Sequence, residues 1–133
     1  IYYTKGYNHN MYQISRHQDN RNILIVDLID EYTLDDLIDL NSDISRIAEE
    51  SPNIYLILNT LKVTKFPKEI AKVSKLSKPI ASAESIRGIT IVNKNPIIKF
   101  ISAIVTAMFN KDYVITDQVE VAIQNATDML ETV

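Results

Sequence analysis

The sequence predicts an α/β domain, a mixed β-sheet with helices packed on it, in the order ββαβαβαβα. Three observations carry this reading. Apolar runs rich in β-branched residues (23–26, 54–58 and 113–115) alternate with longer segments whose apolar residues recur at helical spacing. The runs at 23–26 and 54–58 are continuous, the pattern of strands covered on both faces. Strands that alternate with helices pair in parallel through right-handed crossovers.

In chain order, residues 1–10 show no period and are expected to form a flexible or swapped arm, rich in tyrosine (Tyr2, Tyr3, Tyr7). Tyr12 and Ile14 alternate with Gln13 and Ser15, a half-buried strand. The polar cluster 17–22 turns the chain into the strand at 23–26. A helix over 33–49 follows. Thr33 with Asp36 makes a capping box, and Leu34, Leu37, Ile38, Ile44 and Ile47 share one face. Ser51, Pro52 and Asn53 stop it, and the strand 54–58 comes next.

Residues 59–65 read as a polar elbow, after which Pro67 opens a second helix, where its missing N–H costs nothing. Lys78 before Pro79 ends that helix, because a residue before proline is pushed out of the α region. Residues 80–92 allow more than one reading. The favoured strand covers 80–85 with an irregular continuation to 95; a strand over 86–92, or two strands bent at Gly88, are the alternatives. From Pro96 a third helix places Ile97, Ile98, Phe100, Ile101, Ile104, Val105, Met108 and Phe109 on one half, with Lys99, Ser102, Thr106 and Asn110 opposite. A last strand at 113–115 leads to a helix capped by Asp117 with Glu120, burying Val119, Ala122, Ile123, Ala126 and Leu130.

Composition excludes several classes of function. A length of 133 residues suits a single domain with a real core. There is no cysteine, hence no disulfide framework and no thiolate chemistry, and a cytoplasmic location is expected. A net charge of −3 gives no general attraction to nucleic acid. The only glycines, Gly6 and Gly88, cannot build a phosphate-binding loop. No apolar run reaches the roughly 18–20 residues of a membrane span, and the polar amino end offers no secretory leader.

The two histidines, His9 and His17, have no acidic partners at ligand spacing, so neither metal nor cofactor is expected. Neither stands in a nucleophile-and-base pattern. Asp35, Asp36 and Asp39 are expected on the exposed side of their helix, where a carboxyl keeps its ordinary acidity. The chain is read as a non-enzymatic protein.

Several strings resemble the STAS domain, in particular its SpoIIAA-like branch. They are the strand at 54–58 followed by Thr64-Lys65-Phe66-Pro67, then Lys78-Pro79, Ile86-Arg87-Gly88-Ile89 and Met108-Phe109-Asn110-Lys111, and finally the short last strand with the helix start at 117–122. Together they span roughly residues 12–130. The resemblance implies one STAS-like domain serving as a regulatory or protein-interaction module. In members that act as anti-anti-sigma factors a serine at the elbow is phosphorylated. This chain has no serine between Asn53 and Ala71, so the resemblance does not extend to that phospho-switch. Thr60 and Thr64 are the elbow threonines left in its place.

Two surfaces stand out as candidates. Asn59, Thr60, Thr64 and Lys65 line the elbow, where the N–H groups of the following helix would face an anion. Lys68 and Lys72 continue this surface, within a series Lys62, Lys65, Lys68, Lys72, Lys75 and Lys78 that meets a single acid, Glu69. Residues 27–50, by contrast, hold nine acids and Arg46 as the one base. That split suits an acidic protein partner or self-association, most simply a homodimer. The broad apolar face of the third helix (Ile101, Ile104, Met108) supports an alternative, a small apolar or lipid-like ligand held between this helix and the sheet.

Overall fold

One continuous mixed sheet organises the chain, with strands lying in sequence order from edge to edge. The computed structural model describes residues 2–3, 11–94, 98–108 and 111–131. The strands are β1 (Tyr2–Tyr3), β2 (Tyr12–Arg16), β3 (Ile23–Glu31), β4 (Ile54–Lys65), β5 (Ile86–Val92) and β6 (Tyr113–Thr116). Between them run α1 (Leu34–Glu50), α2 (Ile70–Ser82) and α3 (Ile98–Ala107), and α4 (Val119–Glu131) closes the chain. β1 to β3 pair antiparallel and β3 to β6 parallel. Apart from the two-residue β1, the order is the expected ββαβαβαβα. Most of the expected arm at 1–10 lies outside the described residues, as do Pro96, Ile97, Phe109 and Asn110.

The alternation of β4 feeds two cores. Ile54, Leu56 and Leu58 face α1, α2 and α3, joining Ile44, Val73, Phe100 and Met108. Tyr55 and Ile57 face α4 with Ile23, Val92, Ala122 and Ala126. Three successive crossovers step along the sheet in one direction, so their helices share one face. Among the described residues α4 alone covers the other. Among the described residues no helix is long and apolar enough to cross a membrane.

The structure corrects five boundaries. β4 does not stop at Leu58 but runs to Lys65, so the expected elbow is strand. Beyond Asn59 it pairs with β3 alone, through Lys62, Val63 and Lys65, and gains one extra residue at each of two register shifts. On the β3 side, Asp30 takes up a left-handed φ of 49° at the second shift.

α2 begins at Ile70 rather than Pro67, and it passes through Pro79 instead of ending before it. Ile80 and Ala81 are buried beyond the proline, and that packing holds the last turn in place. Pro79 has no N–H to offer the carbonyl of Lys75. The next carbonyl, of Leu76, takes a hydrogen bond from Asn41 Nδ2 on α1.

The strand in the uncertain region is therefore 86–92, with 80–82 helical, the reverse of the favoured reading. Finally, α4 starts at Val119. The Ala122 N–H bonds the carbonyl of Gln118, which puts Asp117 ahead of the cap position instead of on it. The Thr33–Asp36 capping box forms as expected.

Gly88 lies opposite Tyr55 in the β4–β5 ladder. A Cβ at this position would stand 2.7 Å from Tyr55 Cε2. The ring has little room to swing away, because its hydroxyl is 2.7 Å from Thr90 Oγ1 and its residue is buried. Gly88→Ala should accordingly destabilise the fold by about 1–3 kcal/mol. Urea denaturation measures the loss, and it should shrink in a Tyr55→Leu background, where the blocking ring is gone.

Candidate functional site

In a parallel sheet, ligands and partners meet the fold at the carboxyl ends of the strands. Here β3 and β4 end side by side, and the Tyr32 N–H bonds the Lys65 carbonyl at 3.0 Å to close the pair. The chain then leaves toward α1 from β3 and toward α2 from β4. Between the two departures lies an open cleft of about 450 Å³, walled by 31–35 on one side and 65–69 on the other. Tyr32 and Phe66 are its aromatic lining, and both pack on Phe100 behind them. Phe66 stacks at 4.2 Å on Phe100 of α3, which meets the Tyr32 ring edge-on at 6.2 Å. The rim is charged, with Lys65 and Lys68 against Glu31, Asp35 and Glu69.

The structure divides the expected site residues into two groups. Asn59 and Thr60 are buried and held in place. Asn59 Nδ2 donates to Asp27 Oδ1 at 2.8 Å, and its Oδ1 accepts the Leu61 N–H at 3.1 Å. Thr60 Oγ1 donates to the Val92 carbonyl at 2.7 Å. These side chains brace the point where β4 parts from β5. Thr64, Lys65, Lys68 and Lys72 are exposed, as are Lys62, Lys75 and Lys78. None of the six lysine side chains in this series has a carboxylate partner among the described residues. Because α2 starts at Ile70, its first N–H groups lie past Lys65, and no side chain caps them.

The acids of α1 are spent differently from the sequence expectation. Of the three acids expected on the exposed side, Asp35 is exposed, Asp36 is buried and Asp39 is half-buried; Asp43 is buried as well. Asp36 Oδ2 accepts from the Thr33 N–H at 2.8 Å and its Oδ1 from the Met11 N–H at 3.1 Å. Asp43 accepts from the Tyr12 hydroxyl at 2.5 Å and from Arg46 at 2.8 Å. Two of the nine acids in 27–50 are thus held inside the fold, whereas Asp30, Glu31, Asp35, Glu49 and Glu50 stay exposed. The lysine series faces outward throughout.

Ile101, Ile104 and Met108 are all buried in the larger core. Ile104 and Met108, with Tyr32, Phe100 and Ser77, border an apolar cavity of about 40 Å³ between the helices and the sheet. Ligand pockets for drug-sized molecules run to roughly 300–1,000 Å³. The Tyr32 hydroxyl has no hydrogen-bond partner among the described residues. Sequence reasoning missed Tyr32, Phe66 and Phe100 as a unit, because no local spacing links residues that meet only across three elements. Among the described residues no cluster of histidines and acids is arranged to hold a metal ion.

No family model matches the sequence, and no curated protein matches it either. The fold does match a solved structure. It is similar to the crystal structure of an uncharacterised protein of the DUF3478 family, with a SpoIIAA-like fold, from Shewanella loihica PV-4. The TM-score is 0.63 over 92% of this chain and 99% of that one, at 11% sequence identity. The fold of this chain is SpoIIAA-like.

Burial suppresses the ionisation of three tyrosines. Tyr12 is pushed above the ordinary phenol range by desolvation and then by Asp43, Tyr32 by desolvation and then Asp36. Desolvation raises Tyr55 as well, partly countered by its bond to Thr90. The unfolded chain releases these protons near the ordinary value of 10.0, whereas the folded protein retains them. Stability should therefore be intact below pH 10 and fall as pH rises beyond it. Urea midpoints across that range test this, and the decline should be shallower in Tyr12→Phe and Tyr32→Phe.

Proposed function

We propose that this protein is a non-enzymatic interaction module that docks an acidic segment of a partner protein on the lysine face of α2 and the adjoining cleft. The observation that carries this reading is the series Lys62, Lys65, Lys68, Lys72, Lys75 and Lys78, all exposed and without a carboxylate partner among the described residues, with Lys65 and Lys68 on the rim of the cleft. Exposed ammonium groups with no internal carboxylate attract acidic chains at long range and lose little on contact. Phe66, buried beneath the rim, gives such a chain a fixed wall to lie against. Thr60 has its hydroxyl committed to Val92 inside the fold, so the exposed threonine of this surface is Thr64.

The double variant Lys68→Glu plus Lys72→Glu should weaken binding of an acidic peptide by at least about tenfold, with an unchanged circular dichroism spectrum. Fluorescence anisotropy at rising salt gives the readout, since the wild-type affinity should fall with ionic strength. Equal binding by both proteins would remove this surface from consideration.

A second reading is favoured by one observation: Tyr32 lines the apolar cavity and its buried hydroxyl has no partner among the described residues. The cavity would hold a small apolar molecule with one polar group on Tyr32, and a lipid-sized one only with α3 displaced. Native mass spectrometry of the purified protein should then show added mass that Ile104→Trp abolishes. Bare protein mass for the wild type would count against it.

A further inference from the structure

β6 ends the sheet, and its character is unusual for an edge. Natural edge strands discourage pairing with charges, prolines or bulges. Tyr113-Val114-Ile115-Thr116 has none of these within it, and Tyr113, Val114 and Ile115 are all among the exposed large apolar residues. The phase of the backbone is fixed by β5. The Ile89 N–H bonds the Asp112 carbonyl at 3.1 Å and the Asn93 N–H bonds the Thr116 carbonyl at 2.8 Å. Alternation then turns Val114 toward β5 as well, so the N–H and C=O groups of Tyr113 and Ile115 point outward, away from the sheet.

We propose that β6 pairs antiparallel with β6 of a second copy of this chain, on a two-fold axis through Val114, joining two sheets into one. This is independent of the docking surface on α2. The phase above allows three registers near the strand centre, with Tyr113, Val114 or Ile115 on the axis. Centring on Tyr113 sets Val114 against Asp112, and centring on Ile115 sets Tyr113 against Asp117. Centring on Val114 alone pairs apolar with apolar throughout, Tyr113 with Ile115 of the second copy and Val114 with its own counterpart. Aromatic and β-branched residues facing across strands are favourable pairs.

Charge selects the same register. It brings the Lys111 end of one strand against the Asp117 end of the other, twice by symmetry. Lys111 is half-buried, with Nζ donating to the carbonyls of Ala83 and Ile86, and it has no carboxylate partner among the described residues. Desolvation and the nearby Arg87 lower its basicity. A carboxylate arriving opposite would supply the missing counter-charge. Asp117 is exposed and available to do so.

The chain has no cysteine, which makes the register directly readable. In the proposed pairing the two copies of residue 114 form a non-hydrogen-bonded pair with Cα atoms about 4.5 Å apart, within disulfide reach. Sedimentation velocity at micromolar concentration should show a dimer for the wild type. Val114→Cys should form a covalent dimer on mild oxidation, whereas Tyr113→Cys should not. Ile115→Pro removes an outward N–H and leaves the β5 ladder intact; it should be monomeric with an unchanged far-ultraviolet spectrum. A monomeric wild type would overturn the proposal, as would crosslinking through Tyr113→Cys in preference to Val114→Cys. If Ile115→Pro fails to fold, the two cysteine variants decide alone.

Discussion

Everything in this molecule leans on β4 being covered on both faces. Five consecutive apolar side chains from Ile54 to Leu58 are divided by the pleat between two separate cores. Parallel neighbours on both edges then leave no backbone group of this run to water. The arrangement is demanding at one point. Tyr55 turns toward the side of the sheet that α4 covers, and its ring lies over the place where a Cβ of Gly88 would be. The layers on either side thus depend on a residue in β5 having no side chain.

The sequence displays this arrangement unevenly. Element types and their order were legible because continuous apolar runs and helical periods are properties of short windows. The Thr33–Asp36 cap was legible for the same reason, since it closes within one turn. Boundaries failed where distant contacts override local preference. Pro79 looks like a stop until Ile80 and Ala81 are seen buried against the core. Residues 61–65 look like a loop because Asn59 and Thr60 are polar, yet Leu61-Lys62-Val63-Thr64 alternates with the period of a strand. The lysine face was readable as composition, but its reach onto the cleft needed the true start of α2. The burial of Asp36 was not legible even though its cap was, because its second hydrogen bond, from the Met11 N–H, comes from 25 residues away.

Topology constrains where function can sit. Doubly wound sheets open a crevice where successive crossovers leave for opposite faces. Here α1, α2 and α3 follow crossovers of one direction, so no such crevice opens between parallel strands. What replaces it is the overhang of β3 and β4 beyond β5, with a cleft at its tip and a basic helix beside it.

The two register shifts in β4 have a further consequence, for how such a protein can change over evolutionary time. Past Asn59 the strand has let go of β5, and each shift has already absorbed one added residue without disturbing the ladder below. Insertions or deletions at 61–65 would reshape the rim of the cleft while Ile54–Leu58 keeps its register, and the entropic cost of a slightly longer segment is small. The core and the rim of the cleft are carried by one strand, yet they are free to drift separately.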